Sequence, residues 1–200
     1  MITWCTACGA ATQDSLCHSC RIGLVPGATT ISPTGMIVST GLIHRGPARR
    51  LVHRLKFDGD RRAAAVLVDA MQRKAPAGAT GWVPVPRAKL RAMRYGVDPA
   101  RLLCEFLADV TGVPVVPALA SGWWWASHNR GALAALSAPV FTRLTDHASP
   151  DWVLVDDVAT TMNTLESARV SLSGVVRHAL VATAPLRSVS NLISTAETNL

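Results

Sequence analysis

Asp156 and Asp157 stand side by side at the end of a short apolar run, Trp152 to Val155, and a hydroxyl-rich loop with Thr160, Thr161 and Thr164 follows. A run of that length and β-branching reads as a buried parallel strand. The pattern from Leu165 to Leu172 reads as a helix. Strand, acidic pair, small polar loop and helix start, in that order, suit a phosphorylated sugar. Backbone N–H groups and hydroxyls at a helix start can hold a phosphate, and carboxylates can accept hydrogen bonds from ribose hydroxyls. In an open α/β sheet such ligands sit at the carboxyl ends of strands, where this loop would lie. A strand end with two exposed aspartates before a Thr-capped helix would use the same residues without a ligand.

A second constellation opens the chain. Cys5, Cys8, Cys17 and Cys20 form a C-x2-C-x8-C-x2-C array, in which two knuckle-like turns can present four thiolates tetrahedrally to one Zn2+. Paired disulfides are the alternative, but nothing else in the sequence points to an oxidising compartment. His18 reads as a bystander and Cys104, alone in a later helix, as a core thiol.

Charge supplies a third signal. The chain has 200 residues and a formal net charge of +7, and 13 of its 20 Lys and Arg residues lie between Arg49 and Arg101. Only Asp58, Asp60, Asp69 and Asp98 oppose them in that window. Such a concentration favours polyanionic partners, either nucleic acid or pyrophosphate-bearing ligands, although a solvated helix face looks similar. Arg49, Arg50, Arg54, Lys56, Arg61 and Arg62 are the candidate DNA-binding cations.

These residues need elements to position them. Apolar residues make up 49% of the chain, enough for one α/β domain with a small appendage. No apolar run reaches the roughly 18–20 residues of a membrane span, and the cysteine-bearing N-terminus does not resemble a signal peptide. The expectation is a soluble, cytoplasmic protein with a zinc finger at 1–22, a Pro/Gly/Thr-rich linker at 23–40, an α/β domain at 41–185 and a tail at 186–200. Leu51, Val52 and Leu55 fall on one side of a short helix. Asp58-Gly59-Asp60 ends that helix and caps the next, from Arg61 to about Lys74. Trp82 to Pro86 reads as the first core strand, followed by basic residues Arg87, Lys89, Arg91 and Arg94. Asp98-Pro99 marks the start of a helix running to Val110. Gly112 to Pro117, Pro139 to Thr142 and Val175 to Ala184 read as further strands.

Val153-Leu-Val-Asp-Asp-Val-Ala-Thr-Thr-Met-Asn-Thr-Leu165 resembles the phosphoribosyl-pyrophosphate (PRPP) signature of type I phosphoribosyltransferases. With the four cysteines, Leu51-Val-His-Arg-Leu-Lys-Phe-Asp-Gly-Asp60, Val83-Pro-Val-Pro86 and Tyr95-Gly-Val-Asp-Pro-Ala100, the chain resembles the competence protein ComF family over residues 4 to about 184. That resemblance implies a type I phosphoribosyltransferase-like parallel sheet with flanking helices behind a four-Cys zinc finger. It implies Asp156 and Asp157 as catalytic, ribose-holding carboxylates, with Val158, Ala159, Thr160, Thr161, Met162, Asn163 and Thr164 around the 5′-phosphate. Pro86, Arg87 and Lys89 would form the pyrophosphate loop with Mg2+, and Ser127 to Arg130 a mobile cover. Tyr95, Asp98 and Pro99 replace the family's usual Arg, Asn and Gln. Met162 and Asn163 stand where the family has Gly and a small residue, so Met162 lacks the freedom that lets backbone approach a phosphate. The function implied is PRPP binding together with DNA uptake or single-stranded DNA handling, with a possible DNA-processing protein partner and with Trp123 to Trp125 offering rings for stacking. Transfer of ribose-5-phosphate from PRPP to a nucleobase-like acceptor is the alternative, and an adaptor docking through the finger is a third.

Overall fold

The computed structural model describes residues 2–123 and 140–186. The expectations that fall on Trp124, Trp125, Ser127 to Arg130, Pro139 and the tail from Arg187 lie outside them. The chain opens with a two-stranded ribbon, β1 (Thr3–Trp4) against β2 (Ala11–Thr12), and a one-turn helix, α1 (His18–Ile22). β3 (Thr29–Ile31) and β4 (Ile37–Ile43) then form an antiparallel pair. The segment expected to be a linker at 23–40 therefore carries β3 and the first half of β4.

Helices α2 (Gly46–Asp58) and α3 (Arg61–Gln72) follow. Their junction is set by local chemistry. Gly59 adopts φ 61° at the end of α2, a left-handed conformation that costs glycine little. Asp60 then accepts from the N–H groups of Arg62 and Ala63 at 2.9 and 3.2 Å, a cap worth about 1 kcal/mol. β5 (Gly81–Pro84) leads through α4 (Lys89–Tyr95) to α5 (Pro99–Thr111), which Asp98 caps by accepting from the Arg101 N–H. The stretch expected as a strand at Gly112 to Pro117 makes only a parallel bridge from Val115 to Trp82. β6 (Leu119–Ser121) instead pairs with β7 (Phe141–Arg143). β8 (Trp152–Val158), α6 (Asn163–Ser171) and β9 (His178–Ala184) close the described chain.

The main sheet has the order β3-β4-β9-β8-β5, with β4, β9, β8 and β5 parallel and β3 an antiparallel edge. Alternation along the strands feeds two cores. Trp82, Val153, Val155, Leu180 and Ala182 pack towards α2, α3 and α5, while Val83, Leu154, Ala179 and Val181 pack towards Leu165, Ala168 and Leu172 around α6. Burial on both faces explains why the run from Trp152 to Val155 is continuously apolar. Adjacent strands β5 and β8 thus send their following helices, α5 and α6, to opposite faces. That divergence opens a crevice at their carboxyl ends.

The cysteine segment is not a detached appendage. Cys5, Ala7, Leu16 and Cys20 share one buried cluster with Ala48, Leu51 and Val52 of α2. Among the described residues no helix is long and apolar enough to cross a membrane.

Gly41 sits inside β4, and a Cβ there would lie 3.1 Å from the Ala182 carbonyl and 3.3 Å from the Met71 amide nitrogen of α3. The missing side chain lets α3 lie close on the sheet. Gly41→Val should therefore destabilise the fold by about 1–3 kcal/mol, seen as a lower urea midpoint with an unchanged slope. An unchanged midpoint would show that α3 does not depend on this close approach.

Candidate functional site

The sulfurs of Cys5, Cys8, Cys17 and Cys20 all lie within 4.8 Å of one another. Cys8 Sγ and Cys17 Sγ are 3.7 Å apart, close to the edge of about 3.8 Å expected for a tetrahedron of thiolates around zinc. The donor set therefore fits a metal ion such as zinc. Protein groups alone do not ionise these thiols evenly. Burial opposes ionisation of Cys5, but N–H groups of Cys17, Cys8 and Ala7 outweigh it and bring its thiol down to about 6. Burial and the neighbouring sulfurs push Cys20 up to about 12. A cation bound by Cys5, Cys8, Cys17 and Cys20 would hold all four as thiolates. Arg50 supports the set from α2, its Nε donating to the Ala7 carbonyl at 2.9 Å and its Nη2 lying 3.6 Å from Cys20 Sγ.

The crevice at the carboxyl ends of β5 and β8 holds a cavity of about 700 Å3, a volume within the usual range for small ligands. Asp156, Asp157, Val158, Thr160 and Thr164 contribute to its lining from β8, the loop after it and the start of α6. Pro86, Arg87 and the helix α4 residues Arg91, Arg94 and Tyr95 also line it, with Lys56 and Phe57 contributed by the end of α2. The lining thus brings two carboxylates and two threonine hydroxyls together with four cations.

Both aspartates lie within β8 rather than beyond it. Parallel pairing continues through Asp156 opposite Val181 and Val158 opposite Thr183. The expectation of two solvent-facing carboxylates is corrected here for Asp157, which is only 7% exposed. Its Oδ1 pairs with Lys56 Nζ at 3.2 Å. Thr183, fully buried, donates to the Asp157 carbonyl at 3.3 Å and so accepts from His44 Nδ1 at 2.8 Å. Burial lowers the affinity of His44 for a proton, and the Lys56 and Arg49 charges lower it further. Asp156 is the complementary member of the pair. Burial first, and then the charge of Asp157, push its carboxyl well above the usual range, against the pull of the Asp157 N–H on Oδ1 at 2.7 Å. Of the two acids, Asp156 is thus the one whose proton is favoured, while Asp157 pairs with Lys56.

The loop after β5 is fixed from several sides. Asp98 Oδ2 accepts from the Arg87 N–H at 3.2 Å, and burial pushes the Asp98 carboxyl up despite that bond. Arg87 Nη1 donates to the carbonyls of Lys56 at 2.8 Å and Val97 at 3.4 Å, and Ser121 Oγ donates to the Arg87 carbonyl at 2.6 Å. Lys89, expected in the pyrophosphate loop, places Nζ 5.6 Å from the Trp123 ring centre and is not part of the cavity lining.

Of the residues expected around the phosphate, Val158, Thr160 and Thr164 reach the cavity, while Ala159, Thr161, Met162 and Asn163 do not line it. Met162 instead packs against the α6-side core with φ −77° and ψ −9°, so its position demands no glycine. Several of the six basic residues proposed for DNA have partners within the fold. Arg50 serves the cysteine segment, Arg62 Nη2 donates to the Trp4 carbonyl at 2.9 Å, and Lys56 holds Asp157. Arg54 lies 3.8 Å from Asp60, and Arg61 lies over the Phe106 ring at 4.8 Å. Arg49 is exposed near His44. Sequence reading passed over Phe57 as a cavity residue, noted Tyr95 and Asp98 only as departures from the family's pattern, and did not include Arg91 or Arg94 in the pyrophosphate loop. Their i, i+3 spacing after the Pro86 turn was the available signal.

Compared with known proteins, the chain matches no family model and no curated protein.

Two substitutions test this geometry. Folding raises the proton affinity of Asp156, so its contribution to stability falls as pH rises from the ordinary carboxylate range through the raised value. Asp156→Asn removes that loss and should raise Tm over wild type at pH 8, with the advantage vanishing near pH 4. A lower Tm at pH 8 would contradict the assignment. Met162→Gly should lower stability by about 1–3 kcal/mol through lost packing and leave inorganic phosphate affinity within twofold. Markedly tighter phosphate binding would show that Met162 crowds the anion instead.

Proposed function

We propose that this chain is a ComF-like protein whose type I phosphoribosyltransferase-like domain binds PRPP with Mg2+ and acts in DNA uptake or single-stranded DNA handling, with a structural Zn2+ on its four cysteines. The observation that carries the reading is the cavity that Asp156, Asp157, Thr160 and Thr164 line together with Lys56, Arg87, Arg91 and Arg94. Hydroxyl-bearing side chains near the start of α6 suit a 5′-phosphate. Asp156 and Asp157 are assigned to the ribose hydroxyls, and Arg87, Arg91 and Arg94 to the pyrophosphate. Mg2+ enters with PRPP, and its chemistry is to spread the charge on the pyrophosphate. Cations and carboxylates held in a partly enclosed crevice bind such a ligand more strongly than the same groups free in water.

The DNA part of the reading rests on the net charge of +7 and on its concentration between Arg49 and Arg101. Arg49 and Arg61 keep exposed side chains for a phosphate backbone. Lys56, Arg50 and Arg62, engaged within the fold, act here through the cavity and the cysteine segment.

Calorimetric titration of the full chain with Mg2+ and PRPP tests the ligand. Wild type should bind at micromolar to millimolar concentration, and Asp157→Asn should weaken binding about tenfold or more while lowering Tm, because Lys56 loses its partner. No binding by wild type at 10-fold excess over millimolar protein would overturn the reading. Release of pyrophosphate on adding free nucleobases would favour the transferase alternative.

Single-stranded DNA should bind with affinity falling steeply with salt, at a log–log slope of about −0.7 per phosphate contacted. Arg49→Ala with Arg61→Ala should reduce that slope. Binding indifferent to salt would contradict the electrostatic account. Metal analysis of protein purified without added zinc should give about one equivalent per chain, and a value near zero with mapped disulfides would remove zinc from it.

A further inference from the structure

The four thiols of the cysteine segment are not equivalent. Cys5 is 1% exposed and Cys20 4%, whereas Cys8 is exposed and Cys17 half-buried. Hydrogen-bond donors divide them the same way. The Cys5 sulfur accepts from the N–H groups of Cys17, Cys8 and Ala7, and Arg50 Nη2 approaches the Cys20 sulfur at 3.6 Å. A donor draws charge from a thiolate and slows its attack on electrophiles, and burial denies the electrophile access. Cys8 and Cys17 form the solvent side of the cluster, with their sulfurs 3.7 Å apart. Gly9, next to Cys8, has φ 76° and nothing within 4 Å of the place a Cβ would take, so the turn that carries Cys8 has room to move.

We infer that Cys8 and Cys17 are an oxidation site, at which hydrogen peroxide joins the two sulfurs while Cys5 and Cys20 stay reduced. The Cys8 thiolate attacks one peroxide oxygen, the S–O bond forms, the O–O bond breaks and hydroxide leaves. The Cys17 thiolate then attacks the Cys8 sulfur, the S–S bond forms and the S–O bond breaks, releasing a second hydroxide. Two thiolates lose two electrons, and one hydrogen peroxide with two solvent protons becomes two waters. The buried half keeps its place. Cys5, Ala7 and Cys20 remain packed with Ala48, Leu51 and Val52 of α2, and Arg50 keeps its bond to the Ala7 carbonyl. A metal ion on the cluster would lose two of its four ligands in this step and leave. That consequence rests on the zinc reading, whereas the choice of sulfurs rests on exposure and hydrogen bonding alone.

The test treats the full chain, its zinc content measured first, with hydrogen peroxide and maps disulfides by mass spectrometry of non-reduced peptides. Cys8–Cys17 should be the main product, with dithiothreitol restoring the thiols, and a zinc-loaded chain should release its metal in step with the disulfide. In a parallel run, N-ethylmaleimide should label Cys8 about tenfold or more faster than Cys5 and Cys20. Cys104, fully buried, is the internal standard for an inaccessible thiol. Arg50→Ala, checked for retained Tm, should speed labelling of Cys20 severalfold and leave Cys8 within about twofold. Disulfides within each C-x-x-C pair, Cys5–Cys8 and Cys17–Cys20, overturn the inference, and so does equal labelling of all four thiols. Resistance of Cys8 and Cys17 to a large excess of peroxide overturns it as well. A chain that holds no zinc yet forms Cys8–Cys17 overturns the metal reading and leaves this one standing.

Discussion

The ion pair between Lys56 and Asp157, 3.2 Å apart at the carboxyl edge of the sheet, is the contact on which the site depends. Two adjacent carboxylates at the end of a buried strand repel each other and lose hydration. Without a cation one or both must take a proton. Lys56 supplies a cation to Asp157, and Asp156 is the acid whose proton is favoured by burial and by its neighbour's charge. Removing the lysine would strand a carboxylate that is only 7% exposed, at a cost of about 3 kcal/mol. The pair also fixes the end of α2, and with it the Lys56 carbonyl that accepts from Arg87 and the ring of Phe57 that forms the cavity wall.

The same helix reaches in the other direction. Six residues before Lys56, Arg50 donates to the Ala7 carbonyl and approaches Cys20 Sγ. Ala48, Leu51 and Val52 bury the cysteine segment's small apolar surface. A cluster of four thiols too small to have its own core thus gains one from α2, and α2 gains a fixed N-terminal half. The cysteine cluster and the cavity lie at the two ends of one 13-residue helix.

Much of this was legible locally. The four cysteines announce their centre by spacing alone, and Asp60 and Asp98-Pro99 mark helix starts because a cap is a contact within three residues. The apolar run before Asp156 announces a strand buried on both faces. What stayed hidden depends on distant partners. β4 reads poorly because Ser39, Thr40 and Gly41 interrupt its apolar residues, and the reason for Gly41 is the backbone of α3 some thirty residues on. Asp156 and Asp157 resemble a loop by propensity, yet β9 keeps them in the ladder. The basic residues read as an open surface, although Arg50, Lys56 and Arg62 turn to partners that no linear pattern reveals. Tyr95 became a cavity wall only when α4 was set against the end of α2.

The central claim is that one crevice, between the carboxyl ends of β5 and β8, takes a phosphorylated ribose. Amide hydrogen exchange on the full chain, with and without Mg2+ and PRPP, addresses it most directly. The account predicts slower exchange at 156–165 and 86–98, with the cysteine segment unchanged. Protection confined to the cysteine segment or to the outer edge at β3, with none at 156–165, would contradict it.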